Sequence, residues 1–261
     1  EDVRKEEVER KFQELRVRVR GRPEDTVVVF LAGHTDIRGG FFCLLLPAAK
    51  LPAGPGIVAV RGPVEGQPAG RRGLVLEDPT ILPYAIIHSN LRFVEALNRL
   101  VIVDACQAEA LFEDPGVRAS VQRRIRRSAE RDAHPARTSY ILATRRGERA
   151  AEAEELEHGL LTYVLLRGMG EPGLRPLNDL PIFEQFPNAD LDHDGWVQTR
   201  ELRQYADMTV PVLARRFPNL VLRGNAVANE TKPDSTLTQE FEGVSFPLIE
   251  IAPPSVRAGA R

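Results

Sequence analysis

Cysteine, tryptophan, methionine and lysine are all scarce in this sequence, and each scarcity narrows what the chain can be. With only Cys43 and Cys106 among 261 residues, no disulfide framework can hold it together, and a reducing, cytoplasmic setting is expected. No apolar run approaches the roughly 20 residues of a membrane span, so no membrane partner is expected. Glu1 to Arg20 is charged throughout and lacks the apolar core of a secretory signal. A formal net charge of -2 gives no general attraction for phosphates, and aromatics at 6% form no stacking pattern, so nucleic acid is not an expected partner. Lysine occurs only at Lys5, Lys11, Lys50 and Lys232; the arginine excess reads as compositional bias.

What is present is 43% hydrophobic, enough for one good-sized core. The spacing predicts an exposed helix over Glu1 to Arg20, with Val3, Val8, Phe12 and Leu15 as a partial stripe. Thr26 to Ala32, Leu100 to Ala105 and the run TSYILAT (138–144) read as fully buried strands, the kind found in parallel sheets. FFCLLLP is a short further strand, and Leu51 to Pro79 an irregular insertion rich in Gly, Pro and Arg. Helices are predicted over Ile86 to Arg99, over HGLLTYVLLRGM, and from Thr199 to about Arg216. The tail is read as mostly loop, with one late strand near Val244 to Ile251. Strands alternating with helices imply an α/β layer structure around a mostly parallel central sheet flanked by helices. The expected division is a domain over 1–224, interrupted by a basic linker at 118–136, and a tail over 225–261 lying on or beside it.

Two of the buried strands end on residues that can do chemistry. VVVFLAGHTD runs into His34, and LVIVDACQAE into Cys106. Ligands of open α/β sheets bind outside the carboxyl ends of the strands, so neighbouring strands would bring this imidazole and this thiol to one crevice. A thiol beside an imidazole is the minimum for nucleophilic acyl transfer, the imidazole taking the thiol proton and later protonating the leaving amine. Taken singly, a strand-end His or Cys is more often structural; at matching positions on two core strands, the pair favours chemistry. Cys43, inside the apolar FFCLLL, reads as a packed core residue. Strand alternation places Asp104 on the same face as Cys106, where a carboxylate makes sense if a cationic group binds next to it. Its bland alternative is a carboxylate bonded to backbone amides. Asp36 is a weaker second candidate for the same role.

VVVFLAGHTD, LVIVDACQAEA, TSYILATRRGERAAE and EHGLLTYVLLRGM, in that order, resemble the successive blocks of a bacterial caspase-like cysteine peptidase, related to metacaspases. The resemblance covers Thr26 to about Arg216. It implies a caspase-hemoglobinase fold, with 1–117 as a large-subunit-like part and 137–224 as a small-subunit-like part. It also implies endopeptidase activity on protein or peptide substrates, with His34 as general base and Cys106 as nucleophile. The backbone N–H groups of Cys106 and of the Gly33–Thr35 turn would form the oxyanion hole. Asp104 matches the position that lines the pocket of enzymes cutting after Arg or Lys, which agrees with its charge. The basic linker would then offer several sites for self-processing.

The chain departs from that pattern in four places. Thr35 stands where the family usually has Gly, and Gln107-Ala108 follows the nucleophile in place of a small polar residue and Gly. The pair is 106 − 34 = 72 residues apart, against about 50 in caspases. The family's first strand and helix also ask for more residues before Thr26, so an upstream segment or partner chain completing the fold is expected. The insertion at Leu51 to Pro79 accounts for the longer separation, and Thr35, Gln107 and the short N-terminus support the alternative, a caspase-homology module that has lost catalysis and serves binding or assembly.

A second motif stands apart from the first. DLDHDGWVQTRE fits the calcium-loop pattern D-x-[DN]-x-[DN]-G-x5-E. Asp190, Asp192 and Asp194 would give oxygens at positions 1, 3 and 5, and Trp196 a backbone carbonyl. Gln198 would bind directly or through water, and Glu201 as a bidentate carboxylate. The incoming segment contains Pro181 and Pro187, and no second loop exists to pair with it, so a modest affinity of roughly 10⁻⁵ to 10⁻³ M is expected. The bland alternative is an acidic turn capping the helix from Thr199.

Overall fold

A computed structural model describes residues 4–38, 40–46, 57–60, 73–76, 80–106, 108–114, 137–144, 150–177, 179–217, 221–222, 237–241 and 245–251. Helix α1 (Lys5–Arg18) leads into strand β1 (Thr26–Gly33), followed by β2 (Thr35–Arg38) and β3 (Phe41–Leu45). The hairpin β4 (Ile57–Val60) and β5 (Gly73–Leu76) precedes β6 (Ile81–Pro83), which returns to pair with β3. Helix α2 (Tyr84–Leu91) and strand β7 (Asn98–Ala105) come next, then a 3₁₀ turn at Ala108–Glu113 and β8 (Arg137–Leu142). The second half holds β9 (Ala151–Ala153), β10 (His158–Gly159), α3 (Leu160–Gly168), α4 (Pro181–Gln185), β11 (Trp196–Gln198) and α5 (Thr199–Arg216). Strands β12 (Val221–Leu222), β13 (Leu237–Phe241) and β14 (Pro247–Glu250) complete the described elements.

The molecule is α/β. Its main sheet has the order β1-β7-β8-β13, with β1, β7 and β8 parallel and β13 antiparallel at the far edge. The three apolar runs give the three parallel strands. Strand β1, expected to be fully buried, leaves Val28 and Phe30 about half exposed on one face, whereas β7 is buried from Arg99 to Ala105. Alternation divides the side chains of β7 between two cores. Val101, Val103 and Ala105 pack with Phe12 of α1 and Ile87 and Leu91 of α2. Leu100, Ile102 and Cys106 pack on the other side, with Val164 of α3 and Leu202, Tyr205 and Leu213 of α5. Helices α3 and α5 approach closely at Gly168, where an added Cβ would lie 3.0 Å from the Tyr205 ring and 3.2 Å from the Ala189 methyl. No helix among the described residues is long and apolar enough to cross a membrane.

Several local expectations need correction. The predicted helix over 86–99 ends at Leu91, because the following residues are bonded out of helical register. Leu97 N–H donates to Pro23 O at 2.8 Å, and the buried Arg99 guanidinium donates to Val94 O and Ala96 O. The tail is more structured than its polar sequence suggests. LTQEF forms β13 on the main sheet, and Phe246 is buried in the core beside α5. Within the insertion at 51–79 a hairpin is described, while the rest of it and the basic linker at 118–136 lie outside the described residues.

Candidate active site

The register of β1 on β7 positions the two reactive side chains. Gly33 lies opposite Ala105, so His34 and Cys106 are each the next residue at the carboxyl ends of neighbouring parallel strands. Gly33 has φ +146, a conformation that L side chains rarely adopt, and there the chain leaves β1 for β2. Thr35, the first residue of β2, then reaches back, its hydroxyl donating to the carbonyl of Cys106. His34 is exposed, whereas Cys106 is only 7% exposed.

The turn carrying Cys106 is fixed by residues that the sequence did not single out. The buried Thr144 hydroxyl donates to Ala105 O at 2.9 Å and accepts from Ala108 N–H at 3.0 Å, clamping the chain on both sides of the cysteine. Further on, buried Asp114 accepts the Phe42 N–H at 3.2 Å and ties the same segment to β3. A lone Thr or Asp carries no pattern along the chain, so nothing but the fold could have pointed to these two.

Asp104 is 1% exposed and faces α3. Its Oδ2 accepts the Thr162 hydroxyl and, at 3.3 Å, the Thr162 N–H in the first turn of that helix. A carboxylate there satisfies an amide that the helix leaves unpaired, in a field that favours negative charge. Thr162 also lines a groove of about 630 Å³ beside β1, together with Phe30, Ala32, Glu152, Glu154 and Glu157. Asp104 is thus joined to the groove through Thr162, without being part of its lining. Asp36 lies on β2 with Arg38 Nε 2.6 Å from its carboxylate, so its charge is already matched.

The second thiol is of a different character. Cys43 is fully buried between β2 and β6, and its Sγ donates to Phe41 O at 3.4 Å. Burial pushes this thiol up to about 12, with the nearby Asp114 and Asp36 carboxylates acting in the same direction. Such a group stays protonated near neutrality and is a poor nucleophile.

In the acidic loop, one carboxylate oxygen from each of Asp190, Asp192 and Asp194 comes together within 4.8 Å. Gly195 N–H donates to Asp190 Oδ2 at 3.1 Å, and His193 and Gly195 have φ of +63 and +90. Glu201 stands apart from the cluster, its Oε1 accepting the N–H groups of Leu191 and Asp192, and its Oε2 that of Gln198. Gln198 is the N-cap of α5, and its side chain accepts the Glu201 N–H in a reciprocal capping box. Trp196, in β11, is half exposed.

No protein-family model, no curated protein and no solved structure matches the chain.

Proposed function

We propose that this chain is a caspase-like cysteine endopeptidase, with the caspase-hemoglobinase version of its α/β fold, acting after Arg or Lys in a reducing compartment. The single observation that supports the reading is the Gly33–Ala105 register, since His34 and Cys106 each follow one of these two paired residues. In the proposed reaction His34 takes the Cys106 proton and the sulfur attacks the scissile carbonyl carbon. The carbonyl oxygen becomes an oxyanion, held by backbone N–H groups of Cys106 and the Gly33–Thr35 turn. The C–N bond then breaks as the imidazolium gives its proton to the departing amine. Water, deprotonated by His34, attacks the thioester, releases the new carboxyl terminus and restores the thiol.

Selection for a basic side chain is supported by charge. The groove beside β1 has glutamates in its lining, and Asp104, bonded to Thr162, adds a further negative charge. A guanidinium would reach Asp104 itself only by displacing the Thr162 hydroxyl. Fluorogenic peptides ending in Arg, Lys or Asp provide the test, with wild type, Cys106→Ala and His34→Ala proteins. Cleavage after Arg or Lys, lost by more than about a thousandfold in Cys106→Ala, is the expected result. Equal cleavage after Asp would remove the specificity, and activity surviving in Cys106→Ala would remove the nucleophile.

A competing reading, a binding or assembly module without catalysis, draws on a different observation. Cys106 is 7% exposed, and the Thr35 hydroxyl is anchored on its carbonyl where the resembled family has glycine. A folded protein silent on all three peptides, whose Cys106 also resists alkylation at pH 8, would favour that module.

A further inference from the structure

We propose that the loop from Asp190 to Glu201 binds one calcium ion, and that β14 takes the place of a second loop, so that the ion fastens segment 245–251 to the body of the protein. This goes beyond the peptidase reading and does not depend on it. Three carboxylates gathered within 4.8 Å repel one another, yet acidic turns are common and the cluster alone would prove little. The deciding feature is Asp190. Only 9% of it is exposed, one oxygen accepts the Gly195 N–H, and the other, Oδ1, is buried with no hydrogen-bond partner. Buried polar oxygens in native proteins are nearly always satisfied. An orphaned carboxylate oxygen beside two further carboxylates is a ligand position, and a cation satisfies all three groups together.

The donors identify the ion. They are oxygens throughout, from carboxylates and a backbone carbonyl, which excludes the nitrogen- and sulfur-seeking metals. A flexible loop with a carboxylate at its twelfth position suits the higher coordination of calcium better than the strict octahedron of magnesium. Glu201 now accepts three backbone N–H groups of the loop; joining the ion would release those of Leu191 and Asp192.

The outgoing half of the loop is gripped by the late strand. Trp196 lies opposite Glu250 and Val197 opposite Ile249 in the β11–β14 pair. Ile251 N–H donates to Gly195 O at 2.8 Å at one end. At the other, Thr199 N–H donates to Phe246 O at 3.0 Å and Arg200 N–H to Ser245 Oγ at 3.2 Å. Residues 195 to 200 are thus held by 245–251, and they carry the carbonyl of Trp196 and the side chain of Gln198. Ordering that half around an ion must order its partner strand, and the reverse follows by linkage.

The single tryptophan supplies the reporter. Calcium is titrated by calorimetry into the metal-stripped full chain, terbium emission is excited through Trp196, and amide exchange is followed with and without calcium. Saturable heat, terbium emission displaced by calcium, and slower exchange at 246–251 are expected. Asp192→Asn and Glu201→Gln should each weaken binding by at least about tenfold. Asp192 and Asp194 are exposed. If Glu201→Gln fails to fold by circular dichroism, the double change Asp192→Asn/Asp194→Asn therefore carries the test. Absence of binding at millimolar calcium, or binding unchanged in the variants, overturns the site. Binding with unchanged exchange at 246–251 overturns the fastening. None of these readouts involves a peptide substrate, so their failure is distinct from failure of the peptidase reading.

Discussion

His34 and Cys106 follow the ends of adjacent strands only because two segments distant in sequence run side by side, whereas the Asp190–Glu201 loop gathers its carboxylates within one short stretch. The first arrangement depends on the whole sheet: the β1–β7 register, the Thr144 clamp after β7, and the return of Thr35 onto the Cys106 carbonyl. The second depends on local turns at His193 and Gly195, on a few hydrogen bonds within the loop, and on the pairing of its outgoing half with 245–251. A site built on rigid strands resists local change but is lost with its sheet. A site built on a loop can be tuned piece by piece and can respond to a ligand.

The two should therefore separate under mutation. The largest effect is expected from Phe246→Ala, which empties a core position at the base of β14. A buried Phe→Ala change costs about 3–5 kcal/mol, measured by urea denaturation, and segment 245–251 should exchange faster. Alkylation of Cys106 should be unchanged in the surviving folded protein; a parallel loss there would mean that the two regions are not independent. Next comes Thr144→Val, which keeps shape but leaves Ala105 C=O and Ala108 N–H without their buried partner. About 2 kcal/mol of stability should be lost, with peptide turnover reduced and calcium binding intact. Thr162→Val removes the hydroxyl bond from Thr162 to Asp104 and keeps that from its N–H, for about 1.5 kcal/mol, and Thr162→Ser should restore it. An increase in KM for Arg peptides larger than the loss in kcat would tie Asp104 to substrate.

The smallest effect near neutrality concerns Cys43. Burial pushes its thiol up to about 12 in the folded state, above the 9.0 of an exposed cysteine. The raised value means that the folded state holds its proton while the unfolded state releases it. The contribution of Cys43 is then complete below pH 9 and is lost as pH rises towards 12. Cys43→Ala should flatten the fall of stability with pH over that window and leave the pH 7 to 8 behaviour of Cys106 unaltered. Iodoacetamide at pH 8 should modify Cys106 and spare Cys43, as peptide mapping would read directly.

How far each region could be read beforehand follows from the same contrast. The three parallel strands stand out in the sequence as apolar runs, which suits β7, covered on both faces, but says nothing of the half-exposed face of β1 at Val28 and Phe30. The loop was visible residue by residue, because its chemistry lies in consecutive positions. The helix drawn to Arg99 was too long, since Phe93 to Leu97 keeps helix-compatible composition while Pro23 and Arg99 pull its backbone elsewhere. LTQEF reads as tail: three polar residues in five conceal a strand whose position is set by the edge of β8. Thr144, Thr162 and Asp114 were missed for a simpler reason. Each is a single polar side chain whose partners are brought to it by folding.

The placement of β13 has a consequence for how the chain reaches its native state. During synthesis β1, β7 and β8 emerge first, and the edge of β8 presents unpaired amides and carbonyls until residues 237–241 arrive. Pairings between such distant segments form slowly, and an open edge in the interval is a template for association between chains. The last steps of assembly thus fall to the segments that close β8 and grip β11. Refolding yield should depend on protein concentration more steeply than it would for a sheet completed by its earliest strands.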